Sequence, residues 1–233
     1  MDFINTCDDS FSNRWKVDFL HKDGGLLDDD DVPKQLFKAI IVDIDGTAAI
    51  GAGVKRSPYE YDKCYNDRPN YMVWKMIEKF SDTHKILFVS GRENVQFETG
   101  VSVRNEKKGI VYKYPPYVET PINNELNRHH NCFSLTYTWI DKWWEYFVSP
   151  GSLSSRGKFI IEQSKGAHDI RIPELFMRKQ GDHRSDDEVK KDIYEKILKN
   201  LYTVELVIDD RNQVVNMWRD LGLSCWQVAP GDF

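Results

Sequence analysis

The chain has 233 residues, 40% of them hydrophobic, and its 37 acidic and 32 basic residues give a net charge of −5. This length suits one α/β domain with additions, and the charge excludes a general attraction to polyanions, so any such binding must be local. The four cysteines lack framework spacing, and neither a signal-peptide pattern nor a long apolar stretch is found. We therefore expect a cytoplasmic protein with no membrane segment.

Residues 1–36 differ in character from the rest of the chain. They contain Gly24-Gly25, the acidic run Asp28–Asp31 and Pro33, which together indicate a charged turn rather than a packed element. We expect an N-terminal arm over 1–36 and a main domain over 37–233.

An apolar run, Ala39–Val42, ends in Asp43, Asp45 and Gly46. Side chains alternate along an extended segment, so the two acids are predicted to point to one side, and the glycine allows a sharp turn behind them. Two carboxylates directed at one point repel each other. Because no Cys or His accompanies them, Mg²⁺ is the expected counter-ion rather than zinc. Taken alone, the same residues could also be an ordinary turn.

Two later apolar runs end in polar groups in the same way. Ile86–Val89 is followed by Ser90-Gly91-Arg92, and Val204–Ile208 is followed by Asp209-Asp210. Ligands of parallel α/β sheets bind outside the carboxyl ends of the strands, so the three strand ends predict one shared crevice. Asp209-Asp210 alone could equally cap the helix that follows.

Helices are predicted between these strands. One spans Met72–Phe80, and another begins at the capping box formed by Ser185 and Glu188. Lys190 would lie in the positive N-terminal half of that helix, where a cation is mildly disfavoured unless an anion lies nearby. An aromatic stripe predicts a further helix whose apolar face belongs to the core. The stripe consists of Trp139, Ile140, Trp143, Trp144 and Phe147, and the core face of the capped helix consists of Val189, Ile193, Ile197 and Leu201.

The DIDGT sequence at 43–47, Ser90, Lys190 and the acidic pair resemble the motifs of the haloacid dehalogenase superfamily of phosphohydrolases. Longer stretches are similar to the 3′-phosphatase domain of phage polynucleotide kinase/phosphatase. These stretches are Arg56-Ser57-Pro58-Tyr59 with Lys63-Cys64, Val89–Glu93, Arg178–Arg184 with Asp186-Asp187 and Lys190, Ile208–Val215 and Cys225–Ala229.

The resemblance implies a Rossmann-like parallel sheet of the haloacid dehalogenase type, with insertions at about 96–131 and 148–170 and no large cap after the nucleophile loop. The residues between Thr47 and Tyr71, which separate that loop from the next predicted helix, are too few for a folded cap domain. An open site of this kind suits the end of a polymer.

Catalytic roles follow from the same resemblance. Asp43 would be the nucleophile that forms an aspartyl-phosphate, and Asp45 would act as general acid and base. Ser90 and Lys190 would hold the phosphoryl oxygens. Mg²⁺ would be held by Asp43, the carbonyl oxygen of Asp45 and one acid of the Asp209-Asp210 pair.

Substrate contacts and partners are implied as well. Arg56, Arg92 and Arg178 would bind the substrate's phosphates, and Asp186 would orient Lys190. The sequence has no G-x-x-x-x-G-K-[ST] loop, so any 5′-kinase activity would need another chain. The expected partners are nucleic acid 3′ ends, of RNA or DNA, and a separate kinase or ligase.

The expected activity is removal of a 3′-phosphate, or of a 2′,3′-cyclic phosphate, from nucleic acid ends. Two alternatives remain at this point. One is a mononucleotide phosphatase with the same catalytic residues, and the other is a non-catalytic end-binding subunit of a repair complex.

Overall fold

A computed structural model of the chain describes residues 37–51, 56–103, 127–148 and 173–231. Five strands form its central sheet: β1 (Phe37–Val42), β4 (Lys85–Glu93), β7 (Glu174–Arg178), β8 (Tyr202–Asp209) and β9 (Cys225–Gln227). Their spatial order is β7-β4-β1-β8-β9, and every neighbouring pair is parallel. This sheet confirms the predicted α/β fold class.

Helices cover both faces of the sheet. They are α1 (Tyr71–Phe80), α2 (Cys132–Phe147), α3 (Asp186–Ile193) and α4 (Asn212–Asp220). Along β1, Ile40 and Val42 pack with α1 and α2, whereas Ala39 and Ile41 pack with α3 and α4. The alternation is that expected of a strand buried on both faces. Of the predicted aromatic stripe on α2, Trp139, Ile140, Trp144 and Phe147 lie in the first of these clusters and Trp143 is partly buried against it, which confirms the core role of the stripe.

Helix α3 begins at the predicted capping box, in which the Glu188 carboxylate accepts a hydrogen bond from the backbone N–H of Ser185. The helix then continues through a wider π-helical turn, Tyr194–Leu198, and ends at Leu201. The wider turn rotates the later residues about the helix axis, so that Leu198 is fully buried. Ile197 and Leu201, which were predicted for the core face, are only partly buried against it.

In the described part of the segment between β1 and α1, only small elements are found. Its described residues form an antiparallel pair, β2 (Ala49–Ile50) with β3 (Arg68–Pro69), and a 3₁₀-helix at Tyr61–Asn66. These described residues agree with the prediction that no large cap follows the first strand.

A second antiparallel pair, β5 (Gln96–Val103) with β6 (Asn127–Asn131), lies within the predicted insertion at 96–131. The predicted arm at 1–36 and nearly all of the predicted insertion at 148–170 lie outside the described residues. Among the residues that are described, no helix combines the length and apolar character needed to cross a bilayer.

Candidate active site

Polar side chains from three strands meet at the carboxyl edge of the sheet. Asp43 directly follows β1, Ser90 lies near the end of β4, and Asp209 is the last residue of β8. The loop after β1 turns at Gly46, which has a φ of +87°. A Cβ atom at this position would lie 2.0 Å from Asp210 Oδ2, so the loop can approach Asp210 this closely only because residue 46 is a glycine.

The ammonium group of Lys190, on α3, joins two of these acids. Its Nζ lies 2.6 Å from Asp43 Oδ1 and 2.9 Å from Asp209 Oδ2, and all three side chains are buried. One carboxylate oxygen each from Asp43, Asp209 and Asp210 lies within 4.8 Å of the others. Three buried carboxylates thus lie close together, and two of them bind one ammonium group. We call these four residues the Asp43 cluster.

The protonation equilibria of the Asp43 cluster reflect this excess of negative charge. Burial raises the pKa of Asp43 well above its ordinary value of 3.8; Lys190 opposes this shift, and the other two carboxylates add to it. Burial, followed by the charge of Asp209, also raises the pKa of Asp210. Burial lowers the pKa of Lys190, but the carboxylates of Asp209 and Asp43 outweigh it and raise that pKa overall. An oxygen-only cluster short of positive charge fits a hard divalent cation.

Asp209 and Asp210 differ in their hydrogen-bond partners. Asp209 Oδ1 accepts from the backbone N–H groups of the next two residues, and its Oδ2 accepts from Lys190 and from the indole N–H of Trp218. The carboxylate of Asp210 accepts a bond of 3.1 Å from the hydroxyl of Thr47, its one bond to the side chain of another described residue. Asp210 therefore has the less occupied carboxylate and is the better placed of the two to hold a metal ion.

A second charged network surrounds Asp45. Arg92 donates to both oxygens of its carboxylate, from Nε to Oδ2 at 2.6 Å and from Nη2 to Oδ1 at 2.8 Å. Arg56 Nη2 donates to the same Oδ1 at 2.7 Å. Both arginines also donate to Asp67, whose side chain is only 3% exposed, and Arg92 donates to the hydroxyl of Thr136. The network fixes Asp45 between two guanidinium groups.

These contacts determine the protonation state of Asp45. Desolvation raises the pKa of its carboxyl group, but the charges and hydrogen bonds of Arg92 and Arg56 lower it more, to below the ordinary value. Because its pKa is lowered, the group is ionised. Its side chain is 46% exposed and can therefore be reached from solvent. The sequence predicts that Arg56 and Arg92 bind substrate phosphates. In the structure their donors are instead directed at Asp45 and Asp67, because a carboxylate matches the guanidinium fork as well as a phosphate does.

Arg178 is also held inside the protein. Its Nε donates to the carbonyl oxygen of Gly91 at 2.8 Å, and its Nη1 donates to the carbonyl oxygens of Asp182 and Arg184. Because Nη2 donates to Asp186, four of the five N–H groups of this guanidinium are in use. Through these contacts Arg178 holds the loop after β7, and its binding of a substrate phosphate stays a prediction.

Asp186 holds two arginines. Besides Arg178, its carboxylate accepts a hydrogen bond from Arg211, and none of its hydrogen bonds within the described residues reaches Lys190. The contacts of Lys190 in the structure are with Asp43 and Asp209, and the orienting role of Asp186 stays a prediction. Asp186 packs so closely on Gly91 that a Cβ atom there would lie 2.4 Å from its Oδ1.

Sequence inspection missed three polar partners of the site: Asp67, Thr136 and Trp218. They come from the end of the 3₁₀-helix, from α2 and from the apolar stripe of α4. No local pattern marks them, because their contacts arise only when distant elements pack together. Thr47 is different, since it belongs to the DIDGT sequence and could have been noticed there. Ser90 is buried, and its Oγ accepts a bond of 3.2 Å from the backbone N–H of residue 92.

A parallel sheet whose carboxyl edge gathers a strand-end aspartate, a buried lysine and an acidic pair defines a phosphatase of the haloacid dehalogenase type. The model of the family described as the polynucleotide kinase PNKP phosphatase domain matches residues 37–132 and 154–233. The chain belongs to this family. The matched residues include every site residue predicted from the sequence.

Solved structures also resemble the chain. One match is a chain of the Pnkp1/Rnl/Hen1 RNA repair complex, with 27% identity and a TM-score of 0.49, and covers 87% of this chain and 46% of that one. Another is a chain of the Pnkp1/Rnl/Hen1 complex, with 25% identity and a TM-score of 0.53, and covers 89% of this chain and 53% of that one. The present chain therefore spans about half the length of these solved chains.

Replacing Lys190 tests the electrostatics of the Asp43 cluster. Lys190→Met removes the ammonium group and leaves the three buried carboxylates without it. Loss of one partner of a buried ion pair costs about 3–5 kcal/mol, so we expect a decrease of this size in the free energy of unfolding at neutral pH with a chelator present. Urea unfolding at several pH values measures it.

The decrease should become smaller as the pH falls. The pKa values of Asp43 and Asp210 are raised in the folded state, so their contribution to stability is present below the ordinary carboxyl pKa and is lost as the pH rises through the folded value. Lys191→Met, at the exposed neighbouring position, is the matched control and should change little. An equal decrease for both variants, or one independent of pH, would contradict this account.

Proposed function

We propose that the chain is a phosphomonoesterase that removes 3′-phosphates from the ends of nucleic acid. The observation that carries this proposal is the buried pair of Asp43 and Lys190 at the carboxyl edge of the sheet, in a member of the PNKP phosphatase family. The four predicted catalytic residues, Asp43, Asp45, Ser90 and Lys190, are all present at this edge or in the loop beside it. Their presence argues against a non-catalytic end-binding subunit.

In the proposed reaction, a carboxylate oxygen of Asp43 attacks phosphorus, and the bond between phosphorus and the 3′ oxygen breaks. Lys190 favours the ionised form of Asp43 and, together with the hydroxyl of Ser90, binds the phosphoryl oxygens. Water then attacks the phosphorus of the aspartyl-phosphate. This second step releases inorganic phosphate and restores the Asp43 carboxylate.

Asp45 transfers the proton in both steps. Because its pKa is lowered, it is ionised at rest and can take a proton from the attacking water. The proton needed by the leaving 3′ oxygen enters on the monoanionic form of the substrate phosphate, whose second ionisation has a pKa of about 6. Asp45, held between Arg56 and Arg92, passes this proton from the phosphate to the 3′ oxygen.

Asp43, Asp210 and the backbone carbonyl of Asp45 are the groups that would hold Mg²⁺. The first two are buried carboxylates with raised pKa values, and Asp210 keeps most of its acceptor capacity unused. Bound Mg²⁺ supplies positive charge that offsets the charge on the phosphoryl oxygens. Asp209 would act behind this shell by holding Lys190 and receiving the indole N–H of Trp218.

Among the described residues no cap covers this edge, which favours a polymer end over a mononucleotide as substrate. In the described part of the segment between β1 and α1 only β2, β3 and a 3₁₀-helix are found, and Asp45 is reachable from solvent. The similarity to a chain of the Pnkp1/Rnl/Hen1 complex supports other chains of such a complex as partners. A separate kinase or ligase would then complete the repair of the end.

The decisive assay compares matched oligonucleotides that carry a 3′-phosphate, a 2′,3′-cyclic phosphate or a 5′-phosphate, with 3′- and 5′-mononucleotides alongside. We expect Mg²⁺-dependent phosphate release from the 3′-phosphorylated oligonucleotide and none from its 5′ counterpart. Asp43→Asn should abolish release, because the amide cannot act as the nucleophile. Faster release from mononucleotides than from oligonucleotides would instead establish a nucleotidase.

The assignment of Asp210 to the metal is tested by titration calorimetry with Mg²⁺, which does not depend on turnover. Loss of an outer-shell partner typically weakens metal binding about 10- to 100-fold. We expect Asp209→Asn to fall in this range and Asp210→Asn to weaken binding further. Asp220→Asn, at an exposed acid on α4, is the control. A larger loss with Asp209→Asn than with Asp210→Asn would reverse the assignment.

A further inference from the structure

Tyr59 is the most exposed large hydrophobic side chain in the described part of the chain, with 81% of its surface accessible. The ring contacts found among the described aromatic residues do not involve it. A single exposed tyrosine is ordinary on a protein surface. Tyr59 differs from an ordinary exposed tyrosine in two ways: its backbone is fixed by hydrogen bonds, and its loop lies beside Asp45.

The backbone on either side of Tyr59 is fixed by hydrogen bonds. Its own N–H donates to Ser57 Oγ at 3.3 Å, the N–H of Ser57 donates to the carboxylate of Glu60 at 2.8 Å, and the N–H of Glu60 donates to the Ser57 carbonyl at 3.0 Å. Lys63 pairs with Glu60 from the following turn. The ring therefore projects from a braced loop, and little backbone order has to be gained when it binds a ligand.

The same loop is tied directly to the proposed proton-transfer group. Arg56 Nη1 donates to the carbonyl oxygens of Ser57 and Pro58, at 3.2 and 3.5 Å, while its Nη2 donates to Asp45 Oδ1 at 2.7 Å. A single guanidinium group thus separates the peptide that precedes Tyr59 from the Asp45 carboxylate. Tyr59 is therefore carried by a loop that is held beside the Asp45 carboxylate.

We propose that Tyr59 is a specificity-determining residue on which the base of the 3′-terminal nucleotide stacks. This inference rests on the proposed function. Aromatic stacking tolerates every base, because each base has a π face, and it therefore suits an enzyme that processes ends of any sequence. It would also explain how a chain with a net charge of −5 can engage nucleic acid by a local contact.

The test uses two oligonucleotides that differ only at the 3′ terminus. Both carry a 3′-phosphate, one on a normal nucleotide and the other on an abasic one. Stacking on an aromatic side chain is worth about 1–3 kcal/mol per base, so Tyr59→Ala should raise KM for the normal end about 5- to 150-fold. It should leave KM for the abasic end and kcat for both nearly unchanged. Tyr59→Phe should behave as wild type, and Tyr146→Ala, at a 63% exposed tyrosine in the last turn of α2, is the control.

Equal effects of Tyr59→Ala on the two ends, or no effect on either, would overturn the inference. Equilibrium binding of the same fluorescent oligonucleotides is measured in parallel, so that the outcome does not depend on turnover. If the wild-type chain releases no phosphate, the proposed function fails. The inference is then decided by whether Tyr59→Ala selectively weakens binding of the base-bearing end.

Discussion

The contact between Lys190 and Asp43 is the interaction on which the rest of the site depends. Three carboxylates buried at one sheet edge would repel each other and protonate without it, and a protonated Asp43 could not attack phosphorus. One ammonium group does not balance three acids. The remaining negative charge is an unfavourable term in folding that a divalent cation can offset, so the electrostatic cost of the cluster and its fit to such a cation have the same cause.

The arginines around Asp45 also need partners of opposite charge, but in this network the charges balance. Arg92 is almost completely buried and would be costly there without partners, but Asp45 and Asp67 together match the charge of Arg92 and Arg56. Because Asp67 is fixed in the interior, the two guanidinium groups hold Asp45 at the exposed end of the network. The Asp43 cluster thus has surplus negative charge around the proposed nucleophile, while the Asp45 network is balanced in charge and keeps the proposed proton-transfer group ionised.

Apolar runs that end in polar groups were enough to predict the strands and the crevice at their ends, because both follow from local alternation and chain order, whereas the Rossmann-like parallel sheet was implied by the family resemblance. The hydrogen-bond partners of Arg56, Arg92 and Arg178 were not predictable from the sequence. A guanidinium group can donate equally well to a carboxylate, a carbonyl oxygen or a phosphate. Asp67 was missed for a related reason. Its importance comes from its position in the interior between two arginines, which only the packing of the 3₁₀-helix against α2 and the sheet creates.

Direct detection of a phosphoryl group on Asp43 tests the central claim of this account. Acid-quenched reactions with a 3′-phosphorylated oligonucleotide would be digested, and the peptides examined by mass spectrometry. An Asp45→Asn variant given an aryl phosphate, whose leaving oxygen needs no proton, lacks only the base for the attack by water and should accumulate the phosphoryl group on the peptide containing Asp43. Release of phosphate by the wild-type chain with no phosphorylated Asp43 at any time, in either protein, would show that water attacks the substrate directly and would contradict the assignment.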